Sequence, residues 1–408
     1  MFPTKALLSL LLVALATVDA TPLKRDTGKA TLSFAAKVNA RAASNIAAAD
    51  RARAQQMRQA ASKGKRAGAT SFSITNGAMD YTAQVGVGSP ATEYTLLIDT
   101  GSSNTWVGAD QAYNPTSTSE DTGNTVSVSY GSGSFSGEEY TDTVTLTSGL
   151  TITQQSIGVA TTSEGFEGVD GILGVGPTDL TEGTVSNTDE VPTVTDNLYS
   201  QGTIGADVLG IYFVPASESN SNGELTFGGT DTSVTTGDIT YTPLTTTEPA
   251  SYYWGINQSI AYGGTTILDE TAGIVDTGMT LSTSGLMLFT DAFSQYESAT
   301  GGTMDETTGL LTITSEQYDN LQTLTFNVGG TSYDLTPNAQ IWPRSLNTAL
   351  GGNADSIYLI VSDIGTASGS GLDFINGYTF LERYYSVFDT GNSQVGFATT
   401  SYTDATTN

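Results

Sequence analysis

A β-rich body made of two related halves is the fold class this sequence predicts, and three observations carry it. Glycine (46 residues), tyrosine (19), threonine and serine are abundant, while long charged side chains are few, a composition that suits strands and tight turns. From Ser71 onward the apolar runs are short and broken by Gly, Asn, Asp and Ser, with few helix-length periodic segments. An apolar strand running into Asp-Thr-Gly occurs at Tyr94–Gly101 and again at Ala272–Gly278, with the aspartates 177 residues apart.

The length of 408 residues by itself favours two domains or one bilobed body. The chain contains neither Cys nor His, which removes thiol nucleophiles, Ser-His-Asp triads, His-ligated zinc and CxxC redox pairs. Carboxylate, hydroxyl and amine chemistry remain. The absence of Cys also removes disulfides as a marker of export, so compartment rests on the N-terminus. There Lys5 precedes the apolar run Ala6–Ala16, and Val18-Asp19-Ala20 offers a cleavage site. Residues 1–20 are therefore read as a signal peptide of a secreted, extracellular protein. No apolar stretch reaches the roughly 20 residues of a membrane span, and no membrane partner is expected.

Charge divides the chain sharply. Residues 21–66 carry 11 Lys and Arg against Asp26 and Asp50, a net +9; after Arg66 only Arg344 and Arg383 face 39 acids, a net −37. A basic arm can serve nucleic acid or a membrane, but the tethered acidic body is nearer and at high effective concentration. The arm is read as a propeptide that acid releases as the carboxylates titrate, and no nucleic-acid partner is expected. Lys65-Arg66 stands at the charge boundary as a processing site, with Lys24-Arg25 the weaker alternative.

Within the repeated motif, glycine after Asp-Thr permits a sharp turn and a close amide approach. Two such turns face to face place Asp99 and Asp276 where both carboxyl groups cannot ionise comfortably, so they share a proton. The pair can activate a water and protonate a leaving nitrogen without metal or organic cofactor. A lone Asp-Thr-Gly is weak evidence, because it is also a good turn. The third copy, Asp389-Thr390-Gly391, is read as a strand-end turn without a catalytic role.

Together with Val128-Ser-Tyr130-Gly131-Ser132-Gly133, Val169-Asp-Gly-Ile-Leu-Gly174, Phe374-Ile-Asn-Gly-Tyr378 and Val387-Phe-Asp389, these turns resemble the pepsin family of aspartic peptidases from about Thr82 to Phe397, closest to its secreted fungal members. The resemblance implies an all-β dominated, bilobed pepsin-like double β-barrel with a few short helices and an active-site cleft between the lobes. It divides the chain into 1–20 signal peptide, 21–66 basic propeptide, 67–245 N-terminal lobe with a flap, and 246–408 C-terminal lobe. It implies Asp99 and Asp276 as the catalytic pair and Tyr130 as the flap tyrosine. Gly131, Ser132, Gly101, Gly278 and Thr280 would bind substrate, with Ser102 orienting Asp99 and Trp106 anchoring Tyr130. Phe166, Leu173 and Tyr130 would suit apolar subsites. The implied partners are protein and peptide substrates, the chain's own propeptide and pepstatin-type inhibitors, and a monomer is the default.

Two positions depart from the family pattern. Met279 stands where Thr or Ser is usual and cannot donate a hydrogen bond to Asp276; Asn376 replaces a leucine and brings local packing into question. Gly86-Val-Gly-Ser-Pro-Ala91 imitates a dinucleotide-binding run, but it leads into the β-rich Tyr94–Ile98 where a helix is needed. Asn257-Gln258-Ser259 is a glycosylation sequon. A silent binding protein of the same fold, a two-carboxylate glycosidase and a secreted β-rich adhesin are the competing functions.

Overall fold

The structure is a computed structural model, described for residues 29–38, 46–62, 79–130, 133–218, 222–278, 286–288 and 290–408. Expectations placed on residues 1–20, Lys24, Arg25, Lys65, Arg66, Ala67, Gly131, Ser132, Met279 and Thr280 fall outside these residues.

Among the described residues strands dominate, as the composition leads one to expect, and they form sheets of 13, seven and three strands. The strand Thr92–Asp99 pairs antiparallel with Met79–Val87 on one side and parallel with Gly171–Gly174 on the other, Ile98 facing Leu173. The second half repeats this plan: Thr265–Val275 pairs antiparallel with Gly255–Tyr262 and parallel with Phe374–Asn376, Val275 facing Asn376. Both central strands end in continuously buried residues, as strands covered on two faces do. Each delivers its aspartate from the end of such a strand. The long hairpin Glu120–Tyr130 with Gly133–Thr147 closes at the Tyr130–Gly133 pair.

The basic arm is more structured than its charge suggests. Ala30–Val38 is a strand inserted antiparallel between Asn222–Phe227 and Met79–Val87. Leu32 and Phe34 point into the core, while Thr31, Ser33 and Ala35 are exposed, the period-2 pattern of a half-buried strand. The Phe34 ring lies 5.6 Å from Tyr81 and 5.1 Å from Phe213, in space that a Cβ at Gly223 would occupy. Among the described strands this one joins five strands on one side (through Asn222–Phe227) to seven on the other (through Met79–Val87). The electrostatic attachment expected from the sequence is therefore supplemented by two hydrogen-bonded ladders and apolar packing. The arm continues as the helix Ile46–Ser62, whose buried positions Ala47, Asp50, Arg53, Ala54 and Met57 recur at helical spacing.

A buried carboxyl group makes the fold sensitive to pH. Glu139, 3 % exposed, accepts a hydrogen bond from the Ser156 hydroxyl. Burial pushes its pKa from 4.5 to about 7, against the opposing pull of that hydroxyl. Because the folded-state value is raised, the contribution is full below the unfolded pKa near 4.5 and is lost as the pH rises through about 7. Roughly 3 kcal/mol is at stake. Urea unfolding at pH 5 and pH 7.5 is expected to show Glu139→Gln flattening this dependence; parallel curves for parent and variant would rule out the assignment.

Candidate active site

Asp99 and Asp276 meet at the junction of the two halves, each wholly buried. The threonines of the two turns lock the halves reciprocally. Thr100 N–H donates to Thr277 Oγ1 and Thr277 N–H to Thr100 Oγ1, both at 2.9 Å; the hydroxyls in turn donate to the carbonyls of Val275 (3.3 Å) and Ile98 (3.1 Å). No role for these threonines was read from the sequence, although their repetition beside each aspartate was the available signal.

The glycines act as the turn argument requires and in one further way. Gly101 N–H donates to Asp99 Oδ1 and Gly278 N–H to Asp276 Oδ1, both at 2.8 Å. In addition, a Cβ on Gly101 would collide with the Asp276 carboxylate, and one on Gly278 with that of Asp99. The side-chain hydrogen at these positions thus permits the carboxylates to approach each other's turns. Ser102 Oγ donates to Asp99 Oδ2 at 2.6 Å. Trp106 and Tyr130 pack with ring centroids 6.4 Å apart at 26°, and Phe166 meets both edge-on. The Trp106 indole N–H and the Ser102 hydroxyl both face the Tyr130 hydroxyl, but neither reaches full hydrogen-bond geometry, so ring packing carries most of the Trp106–Tyr130 association. Leu173 corrects the subsite expectation: wholly buried and paired with Ile98, it is a core residue beneath Asp99. Asn257 is exposed on its strand, leaving the sequon accessible. Asp389 accepts from the Asn392 N–H (3.0 Å) and from the side chains of Asn392 and Gln394, a turn-stabilising role as expected.

Arg53 from the arm helix occupies the space between the two aspartates. Its Nη2 lies 3.0 Å from Asp99 Oδ1 and 3.3 Å from Asp276 Oδ1, and its Nε lies 3.0 Å from Asp276 Oδ2. Burial disfavours the guanidinium charge, but Asp276 and Asp99 more than offset this, so Arg53 titrates above its ordinary value. Burial raises Asp276 to about 6; Arg53 and the Gly278 amide pull it down and the Asp99 charge pushes it up. Flanking contacts tether the arm elsewhere: Arg51 Nε donates to the Asp363 carbonyl (3.1 Å) with its Nη2 3.7 Å from the carboxylate, Arg58 donates to the Leu372 carbonyl, and Lys29 pairs with Asp231 at 3.3 Å. The sequence singled out the arm's charge but not Arg53 among its 11 cations.

The eukaryotic aspartyl protease family matches residues 80–400. The chain belongs to that family. This aspartyl protease is 63 % identical over 344 residues to polyporopepsin of Irpex lacteus, covering 83 % of this chain and all of that one. It is 32 % identical over 338 residues to pepsin A of Bos taurus, covering 78 % and 84 % of the two chains. The crystal structure of an aspartic proteinase from Irpex lacteus superposes with a TM-score of 0.78 at 63 % identity, covering 81 % of this chain and 96 % of that one. The aspartyl protease is thus an aspartic-type endopeptidase of pepsin-like, strand-dominated fold, and its arm strand and helix lie outside the residues that the family matches.

Proposed function

We propose that the protein is an exported zymogen whose residues 21–66 occlude a two-aspartate site formed by Asp99 and Asp276, and which cleaves proteins at acidic pH once the arm is gone. Arg53 between the two carboxylates is the observation that carries this reading: a buried guanidinium there blocks both the water and the scissile carbonyl. In the open site one carboxyl is ionised and the other protonated. The ionised member takes a proton from water as its oxygen attacks the carbonyl carbon, and the protonated member donates a hydrogen bond to the carbonyl oxygen. Collapse of the tetrahedral adduct breaks the C–N bond as a carboxyl delivers a proton to the nitrogen. Export through residues 1–20, a cut after Arg66, a 67–245 and 246–408 lobe division, and substrate contacts from Gly101, Tyr130, Gly131, Ser132, Gly278 and Thr280 complete the proposal.

Cleavage of denatured globin by the full chain, followed from pH 3 to 7 with and without pepstatin, tests it. Acid-dependent cleavage that appears together with loss of the arm and is blocked by pepstatin is the expected result. Folded, arm-free protein that cleaves nothing would instead support a silent binding protein.

A further inference from the structure

The two halves can be compared position by position, taking Asp99 and Asp276 as equivalent. Val85 and Gln258 each face the residue five before their aspartate, Tyr94 and Thr271. Leu173 and Asn376 each face the residue immediately before it, Ile98 and Val275. In the first half both positions are apolar and wholly buried; in the second both are amides and equally buried. The amides bond reciprocally, Gln258 Nε2 to Asn376 Oδ1 at 3.0 Å and Asn376 Nδ2 to Gln258 Oε1 at 2.8 Å. The backbone carbonyl of the same Asn376 accepts the Asp276 N–H at 3.1 Å.

An apolar pair fills the equivalent space in the first half, so volume alone does not require the amides. Two antiparallel hydrogen bonds add direction: they fix both spacing and twist between Gly255–Tyr262 and Phe374–Asn376, and every buried polar atom so engaged is costly to release. The two aspartates differ in the same sense. Asp99 has the Ser102 hydroxyl on Oδ2. Among the described residues the Asp276 carboxylate accepts only from the Gly278 amide and Arg53, and its turn is followed by Met279, which has no hydroxyl. The described partners of Asp276 are thus its turn amide, Arg53 and the backbone anchor to Asn376, and the anchor's share grows once Arg53 has left.

We propose that Gln258 and Asn376 are a positioning pair that holds Asp276 in register for peptide-bond hydrolysis. This rests on the reading of Asp276 as one of the two catalytic carboxylates. The test compares Gln258→Val, Asn376→Leu, the double variant and Asp276→Asn in the acid-activated protein, with active sites counted by pepstatin titration. Each single variant is expected to lower the melting temperature and to lower kcat about tenfold with KM within about twofold, as for a small displacement of a reacting group. The double variant, which recreates the apolar pair of the first half, is expected to recover the melting temperature but not kcat. Recovery of kcat together with stability would overturn the proposal and leave a packing role; so would unchanged kcat in the single variants. An active Asp276→Asn enzyme would instead overturn the reading of Asp276 itself.

Discussion

Asp99→Asn and Asp276→Asn are each expected to reduce kcat on a peptide substrate by about 10²–10⁴, the usual contribution of a positioned acid or base, with little change in KM. An amide in either place can neither accept the water proton nor share one with the remaining carboxyl. The fold should survive, because Thr100 and Thr277 bridge the halves through hydroxyl and backbone groups that do not involve the carboxylates. Asp389→Asn provides the contrast: it perturbs the turn held through Asn392 and Gln394 and should cost stability while sparing kcat per folded site. Substantial activity in either of the first two variants, with the protein folded and free of parent enzyme, would remove the two-aspartate mechanism.

Arg53→Leu carries the second large effect. Removing one partner of a buried ion pair costs about 3–5 kcal/mol, so the helix should hold the cleft about 10²–10⁴ times less tightly. Pepstatin binding by the full chain at pH 6.5 is the measurement, with the parent expected to exclude the inhibitor and the variant to admit it. Arg53→Lys, which retains charge but loses the fork that spans two carboxylates, should lie between them. The parent's own pH dependence has a definite sign. Within the docked arm Arg53 pulls the Asp276 pKa down against the burial that raises it to about 6, so the Arg53–Asp276 attraction is lost as the pH falls through about 6. Equal exclusion of pepstatin by parent and Leu variant at every pH would show that Arg53 is not what closes the site.

Much of this is legible in the amino-acid sequence. The duplicated Asp-Thr-Gly, each copy at the end of an apolar run, identified the two carboxylates and the two-half plan because strand, turn and charge are all local signals. Charge partition marked the arm for the same reason. Pairings made only by tertiary structure were not legible. Gln258 and Asn376 are 118 residues apart; Asn376 stood out as an oddity, but nothing in the chain pointed to its partner. Leu173 resembled a subsite residue because an apolar side chain near an active-site loop can face either cleft or core, and only the sheet register decides. The arm strand was obscured by its setting, since Leu32 and Phe34 alternate within a segment whose cations dominate its charge.

That strand also separates two events that a single cut would seem to combine. The helix is tied to the cleft through the Arg53 ion pairs, which respond to protons, with carbonyl contacts from Arg51 and Arg58 and the packed Ala54 and Met57 beside them, whereas Ala30–Val38 is tied to its neighbours by main-chain ladders on both edges that do not. Acidification therefore acts on the first attachment and leaves the second in place. The helix can undock in a local opening, while extraction of the strand demands a larger, sub-global one. On the zymogen reading proposed above, the first competent species on acidification is a protease with an open cleft that still carries its arm threaded through the sheet, held within reach of the newly exposed aspartates.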